Sequence, residues 1–426
     1  MKLAVSSQED QREKDRAIGP VTSAVPSFPC ILKRRCIVSD PSSEVLESAD
    51  LLREILVKLP PKTVFGFTLV SSHWNKTITD PELTCLLKVP RNPSAVFVRR
   101  LVLQEDHDVV KYTHIPLEGV TRGGRVRVRR SPLSLNLMEE EEFNQASFVI
   151  QHSSNGLMIC SSCNGRCYFL FNPTTKKRVR IPVLINVCCV ISMHISFLAP
   201  GRHKIIAVYL PRYCDRLQLL VLEPNQNPLQ WRNTGVEIPC DPVTGTEVVN
   251  YWYGVDMDGV IYWPCYKSSG LMFFDVREET VHWLPEVPHP YNKFSGLAYF
   301  GECKGNLCMV ADVSMRRGTF DMLELKTDRS MWFIKYHIDL TGRVSRDENL
   351  QILVLALLPG EEEDSDSYLV IHFLREVVSI NLRDGTIRKL CDLGLRTTES
   401  RLLRSEPWHY VHPYRQNPVY PRLTAS

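Results

Sequence analysis

One β-rich pattern returns along most of this chain at a nearly constant interval, and that interval limits the possible folds more than any other feature. Each unit has a Gly or Asn turn, a strand, a loop, and a strand running into an acidic or Asn-headed turn. "SNGLMICSSCNGRCYFLFNPTTKKRVRIP" and "MDGVIYWPCYKSSGLMFFDVREETVHWLP" are two such units. The residues heading the inner turns are Asn172, Glu223, Asp275, Glu324 and Asn381, spaced 51, 52, 49 and 57 apart. Short β-rich runs between Gly, Asn, Asp and Pro turns predict an all-β domain. A period near fifty with several strands per repeat suits a β-propeller, in which each blade needs neighbours to cover its faces. One period before Asn172, "VFVRRLVLQEDHDVVKY" (Val96 to Tyr112) gives a weaker hairpin. The expectation is a propeller of about six blades, or five plus an irregular sheet, with an open sandwich of the same strands as the competing architecture.

The remaining bounds come from composition. With 44% hydrophobic and 23% charged residues, the 426-residue chain is globular in type. A balance of 51 Lys+Arg against 48 Asp+Glu, net +3, makes a nucleic-acid binder by bulk charge unlike this chain. The first residues carry charges before any apolar run of signal-peptide length. The longest nearly apolar run, Val183 to Ala199, is broken by Asn186, Ser192, His194 and Ser196, so it reads as strands and not a membrane span. Fourteen scattered cysteines read as reduced thiols. Together these predict a protein of the nucleus and/or cytoplasm with no membrane partner.

Residues 1–45 are mixed in charge, rich in Ser and Pro and without periodicity, and are expected to be a disordered leader. Within it Lys33, Arg34 and Arg35 read as a solvated cluster in preference to an import signal. Residues 46–85 are expected to be a small helical unit. Leu51, Leu52, Ile55, Leu56 and Leu59 fall on one helical stripe, with Ser48 as N-cap and Asp50 in the first turn. Pro60 and Pro61 end that helix. A second short helix carries Val64, Phe67 and Val70, and Ser71 caps a third in which Trp74 and Ile78 share a face. The β domain is expected over 95–395 and a tail over 396–426.

Residues 46 to 81 resemble an F-box, the adaptor-binding module of SCF-type ubiquitin ligases. The likeness rests on "DLLREIL" (50 to 56), "LP" (59 to 60), Lys62, Thr63, Phe67, "VS" (70 to 71), Trp74, Ile78 and "DP" (80 to 81). Two departures stand out: Glu47-Ser48 replaces the usual opening Leu-Pro, and Gly66 stands where a basic residue is common. The β region is similar to the F-box-associated domains of plant F-box proteins, through "NGLMIC…FNPTTKKRVRIP", "HKIIAVY", "GVIYW…FFDVREETVHWLP" and "WFIKYHIDL". The resemblance implies a substrate-recognition subunit. Leu51, Leu52, Ile55, Leu56, Leu59, Pro60, Val70 and Trp74 would bind a Skp-type adaptor, with cullin and RING subunits beyond it. The β domain would bind a protein target.

A unit of about 35 residues is too small to bury its apolar surface alone, which agrees with docking. Other motifs keep their plainer readings. Cys160, Cys163 and Cys167 have zinc-like spacing, with His152 or His194 as possible fourth ligands, but fit a β-hairpin turning at "NGR". In "RGGRVRVRR" (122 to 130) strand alternation would put Arg125, Arg127 and Arg129 on one face, able to track phosphates or an acidic degron; followed by "EEEE" (139 to 142), it reads as a solvated loop or guarded edge strand. "EEEDSDS" (361 to 367) reads as a solvated hairpin tip. Neither a phosphate-binding Gly loop, a Gly-x-Ser-x-Gly elbow nor a His-Glu-x-x-His motif occurs. No catalytic residue, metal or cofactor is therefore expected. A propeller enzyme, or a nucleic-acid binder using 122 to 130, stands as the alternative from another class.

Overall fold

A computed structural model describes residues 47–417 except 60, 81–82, 84–85, 88–91, 104–107, 118–119, 121–147, 163–164, 166, 185–186, 200–201, 213, 215, 225, 227, 239–248, 266–270, 289–290, 292–296, 315–317, 341–351, 361–365, 374–375, 393–410 and 416. The leader, Pro60, the arginine run, the "EEEE" run, Cys163 and most of the acidic loop lie outside these residues.

The helical unit contains α1 (Ala49–Val57), α2 (Pro61–Gly66), a 3-10 turn (Phe67–Leu69) and α3 (Ser72–Ile78). Ser48 occupies the N-cap of α1 without a side-chain bond, while Ser71 Oγ accepts the Trp74 amide at 3.2 Å. The expected second helix is shorter than its apolar spacing suggested. It ends at Gly66 and tightens into the 3-10 turn, a common way to finish a helix. A Cβ on Gly66 would meet nothing within 4 Å, and its backbone is helical (φ −58, ψ −28). Gly66→Ala is therefore expected to stabilise this unit by about 0.5–1 kcal/mol, checked by urea unfolding followed through the helical signal.

The β region forms six sheets. Five are four-stranded meanders: β3–β6 (Phe148–Ser154, Leu157–Ser162, Tyr168–Asn172, Lys177–Arg180), β7–β10 (Val187–Ala199, Arg202–Pro211, Leu217–Leu222, Trp231–Ile238), β11–β14 (Val255–Met257, Val260–Pro264, Leu271–Asp275, Thr280–Trp283), β15–β18 (Leu297–Cys303, Asn306–Ser314, Thr319–Leu325, Trp332–Asp339) and β19–β22 (Ile352–Leu358, Tyr368–Phe373, Glu376–Asn381, Ile387–Asp392). The remaining sheet joins β1 (Ala95–Leu103) and β2 (Asp108–Pro116), the hairpin expected upstream, to β23 (Val411–Tyr414).

The period of about fifty has a local chemical cause, since short acceptor side chains favour a turn by bonding backbone amides two residues on. Asn172, Asp275 and Asn381 each accept the amide of the second residue after them, Thr174, Arg277 and Arg383, at 2.8 Å.

Six hydrophobic seams close the ring. Leu157 and Ile159 pack with Met193 and Ile205; Ile206 and Val208 with Ile261 and Trp263; Val260 and Tyr262 with Leu307 and Met309. Val310 and Phe320 pack with Leu369 and Val354; Leu353 and Val370 with Val96 and Ile115; Phe97 and Tyr112 with Ile150 and Met158. Adjacent strand residues thus serve opposite seams, which is why β4 and β12 are buried along their whole length. This rules out the sandwich, whose sheets bury one face each. The fold is a six-bladed β-propeller.

The expected tail boundary at 396 needs correcting. Val411–Tyr414 pairs antiparallel with Ala95–Val98, so a strand from beyond that boundary completes the first blade. Pairing this edge satisfies backbone groups that would otherwise be left open.

Candidate functional site

The helical unit has its own core of Leu52, Leu56, Val64, Ile78, Leu83 and Leu87, with Val57, Leu59, Phe67 and Trp74 packed around it. This divides the eight residues singled out from the sequence. Leu52 and Leu56 are fully buried in that core, so the apolar stripe read from the sequence divides into a buried pair and an exposed pair. Leu51 (44% exposed), Ile55 (42%) and Val70 (59%) face solvent. Leu59 and Trp74 are half-buried, and Trp74 meets Phe67 edge-on with ring centres 5.4 Å apart. Pro60 lies outside the described residues.

Two exposed leucines escaped the sequence reading. Leu69 is 91% exposed and Leu86 57% exposed. Leu69 closes the 3-10 turn Phe67–Leu69, just before the Ser71 cap of α3. Arg53 ties α1 to Asp80 beyond α3 through an ion pair. The exposed side chains therefore sit on a braced platform.

In the propeller, a cavity of about 390 Å³ is lined by residues at the ends of the inner strands, Ser154, Phe197, Asp256, Glu302 and Arg415 among them. Three two-residue turns rim it: Asn155-Gly156, Asp258-Gly259 and Lys304-Gly305. Both residues of each turn have positive φ, the geometry that fits the twist of a tight hairpin. Arg415 pairs with Glu302 at 2.7 Å across this opening. The linker from the helical unit is fixed at the same end, where Ser94 N–H donates to Tyr414 O at 2.8 Å.

Beneath the opening, polar side chains join three blades. Ile195 N–H donates to His152 Nδ1 at 3.2 Å, so Nε2 carries the proton and donates to Gly254 O at 2.9 Å. Asp256 accepts from Ser154 Oγ at 2.8 Å, Ser196 Oγ at 2.6 Å and Phe197 N–H at 3.3 Å. Burial raises the Asp256 carboxyl to about 6 and lowers His152 to about 4. His194 Nε2 has Ser192 Oγ, Tyr251 O and Trp263 Nε1 within 3.1 Å, while its buried Nδ1 has no partner among the described residues. Each bonded group is answered by backbone or by a neighbouring blade, which is the pattern of a structural brace.

Gly254 belongs to this brace. A Cβ there would lie 2.6 Å from two His194 ring atoms and 2.9 Å from Trp263 Nε1. Gly254→Ala is expected to cost about 1–3 kcal/mol by overpacking, read as a lower urea midpoint with the slope unchanged.

The hairpin reading of the cysteines can be followed on β4 and β5. Cys160 is buried opposite Phe169, and Arg180 reaches the half-buried Cys167 at 3.4 Å. His152 and His194 spend their bonded nitrogens on the brace. Among the described residues no group of three or more His, Cys, Asp or Glu is placed to hold a metal. No described helix is long and apolar enough to cross a membrane.

Comparison with protein families matches residues 48–86 to the F-box domain and residues 130–348 to the F-box associated beta propeller domain. The chain belongs to the plant F-box proteins with an associated β-propeller. F-box protein At5g07610 of Arabidopsis thaliana is 25% identical over 83% of this chain and 87% of its own. Putative F-box protein At4g38870 of the same plant is 24% identical over 83% of each. A solved structure, the β-propeller domain of Myceliophteria thermophila Cps50 (Swd1), aligns with a TM-score of 0.36 at 10% identity over 72% of this chain and 89% of that one. In this F-box protein, then, the exposed leucines lie within the F-box and the braced cavity within its associated propeller.

Proposed function

We propose that this F-box protein is the substrate-recognition subunit of an SCF-type ubiquitin ligase. The F-box docks on a Skp-type adaptor, which links it to cullin and RING subunits, and the propeller holds a protein target. The observation that carries this reading is the set of exposed apolar side chains, Leu51, Ile55, Leu69, Val70 and Leu86, on a unit that already has a core of its own. Solvent exposure of that many large apolar groups on so small a surface is the mark of an interaction site.

Pairing of Ser94 with Tyr414 places the F-box linker at the end of the propeller rimmed by tight turns. The inner strands of the four-stranded blades begin at the other end, so the target-holding surface in this reading is the one away from the adaptor. The chain has no catalytic role in it. It supplies proximity, raising the effective concentration of a target lysine near a charged ubiquitin carrier. The whole assembly works in the nucleus and/or cytoplasm.

The test is co-purification of the full chain with a Skp-type adaptor from plant tissue under proteasome inhibition, read by mass spectrometry. Adaptor and cullin peptides are the expected result. Recovery of the chain without any adaptor overturns the reading.

A further inference from the structure

Nine cysteines fall within the described residues, and they divide sharply by environment. Cys160, Cys265, Cys303 and Cys308 are buried, while Cys167, Cys214 and Cys391 are half-buried. Cys188 and Cys189 alone among them are exposed, and they are adjacent in sequence. An undisturbed strand sends neighbouring side chains to opposite faces, so two exposed thiols in succession need a local cause. Strand β7 supplies one: Val187 pairs with Pro211 and Cys189 with Leu210, leaving Cys188 as an extra residue in a bulge. Bulges re-aim side chains in this way.

We propose that Cys188–Cys189 is a thiol-modification site, oxidised to a disulfide between adjacent residues by a low-molecular-weight disulfide of the glutathione class. The Cys189 thiolate attacks one sulfur of that disulfide, forming a mixed disulfide and releasing one small thiolate. The Cys188 thiolate then attacks the Cys189 sulfur, closing the internal bond and releasing the second small thiolate. Both protein thiols give up their protons to solvent or to the departing thiolates. Two electrons pass from the pair to the small disulfide, which ends as two thiols.

The product is strained by construction. Consecutive Cα atoms are about 3.8 Å apart, whereas disulfides usually span about 4.4–6.8 Å. A strained and exposed disulfide is readily reduced again, which suits a reversible mark better than a structural link. The buried thiols have the opposite character, since burial holds Cys303 up at about 12 and Cys308 well above the usual thiol range. They are poor nucleophiles and out of reach.

The site also has a route to the fold. Val187 and Val190, on either side of the pair, pack with Tyr168 against the seam between the blades of β3–β6 and β7–β10. Closing a ring between Cys188 and Cys189 must reshape the bulge and pull on the pairing with Leu210 and Pro211. Oxidation therefore loosens the start of an inner strand at the end of the propeller away from the F-box linker.

The experiment treats the folded full-length chain with excess oxidised glutathione, blocks free thiols with N-ethylmaleimide, and maps peptides by mass. The peptide carrying Cys188 and Cys189 is expected to escape alkylation, carry no glutathione, and regain both alkylation sites after dithiothreitol. In Cys188→Ser, ring closure is lost and a glutathione adduct should persist on Cys189. Three results overturn the proposal: full alkylation of the pair after treatment, prior oxidation of Cys167 or Cys214, or a stable glutathione adduct on the unsubstituted chain. Absence of an adduct on Cys189 in the Cys188→Ser chain overturns the order of attack. None of these readouts depends on adaptor binding, so the proposal stands or falls apart from the receptor reading.

Discussion

Replacing Leu51 and Ile55 together by Asp should lower affinity for a Skp-type adaptor by at least a hundredfold and leave the fold intact. Both side chains are exposed and absent from the helical unit's core, so the folded chain loses little when they change. In a complex each would bury only the part still exposed, worth about 0.6–1.3 kcal/mol, and an Asp in its place would add the cost of desolvating an unpaired carboxylate, at least about 1–3 kcal/mol. Losing the two contacts and desolvating two carboxylates together costs roughly 3 kcal/mol or more, and each 1.4 kcal/mol is about tenfold in affinity. The measurement is titration calorimetry with purified adaptor, alongside thermal melting of both proteins. The control separates docking from folding: Leu52→Ala and Leu56→Ala cut fully buried leucines and should destabilise the unit by about 2–5 kcal/mol. Trp74→Ala, the substitution the motif first suggests, is less discriminating because Trp74 also packs on Phe67. Unchanged affinity in the Leu51/Ile55 double variant would remove this face from the adaptor interface.

The second large effect concerns acid. His152 and His372 are buried, with protonation pushed down to about 4, and burial holds His194 well below the usual imidazole range. A histidine whose folded-state value is depressed contributes stability that is complete above the unfolded value, near 6.5, and is lost as pH falls toward the folded value. For His152 alone the span from 6.5 to about 4 corresponds to roughly 3 kcal/mol. Asp256 acts in the other direction. Its value is raised to about 6, so its contribution is present below about 4 and lost as pH rises through 6. His203 is likewise held down to about 4 by burial, so four histidines oppose one carboxyl, and the chain should lose several kcal/mol of stability between pH 6.5 and pH 4.5. Urea midpoints measured across that range test this. His152→Gln should be less stable at neutral pH and show a shallower pH slope, whereas an unchanged slope would mean His152 is not held neutral by the fold.

These groups show why some of the molecule was legible in its sequence and some was not. The blade period could be read because the turn residues act locally: Asn172, Asp275 and Asn381 bond amides two positions away, so the cause of each turn sits beside it in the chain. The F-box helices were legible for a similar reason, through spacing and the Ser71 cap. Which leucines turn inward was not. Leu51 and Ile55 form one i, i+4 pair and Leu52 and Leu56 another, offset by about 100° around the helix, and both pairs are apolar. Only the packing of Val64 and Ile78 decides that the second pair is core. His152 and Asp256 were less visible still, because their partners come from other blades, up to about a hundred residues away in sequence. A stretch reading "VHPY" announces no strand, yet Val411 finds Val98 and seals the first blade.

That last pairing sets a clock on the protein's birth. During synthesis the first blade's hairpin emerges early, but the strand that closes the circle follows only after nearly three hundred further residues. At about 5–20 residues per second, the ring stands open for roughly 15–60 seconds in every newly made molecule. Through that interval the β1 edge that Val411–Tyr414 will cover can pair with any extended chain nearby, so chaperone occupancy of the nascent chain should peak late. A ribosome that stops short of Val411 releases five stacked sheets with an incomplete first blade, a product suited to degradation and unable to form the finished ring.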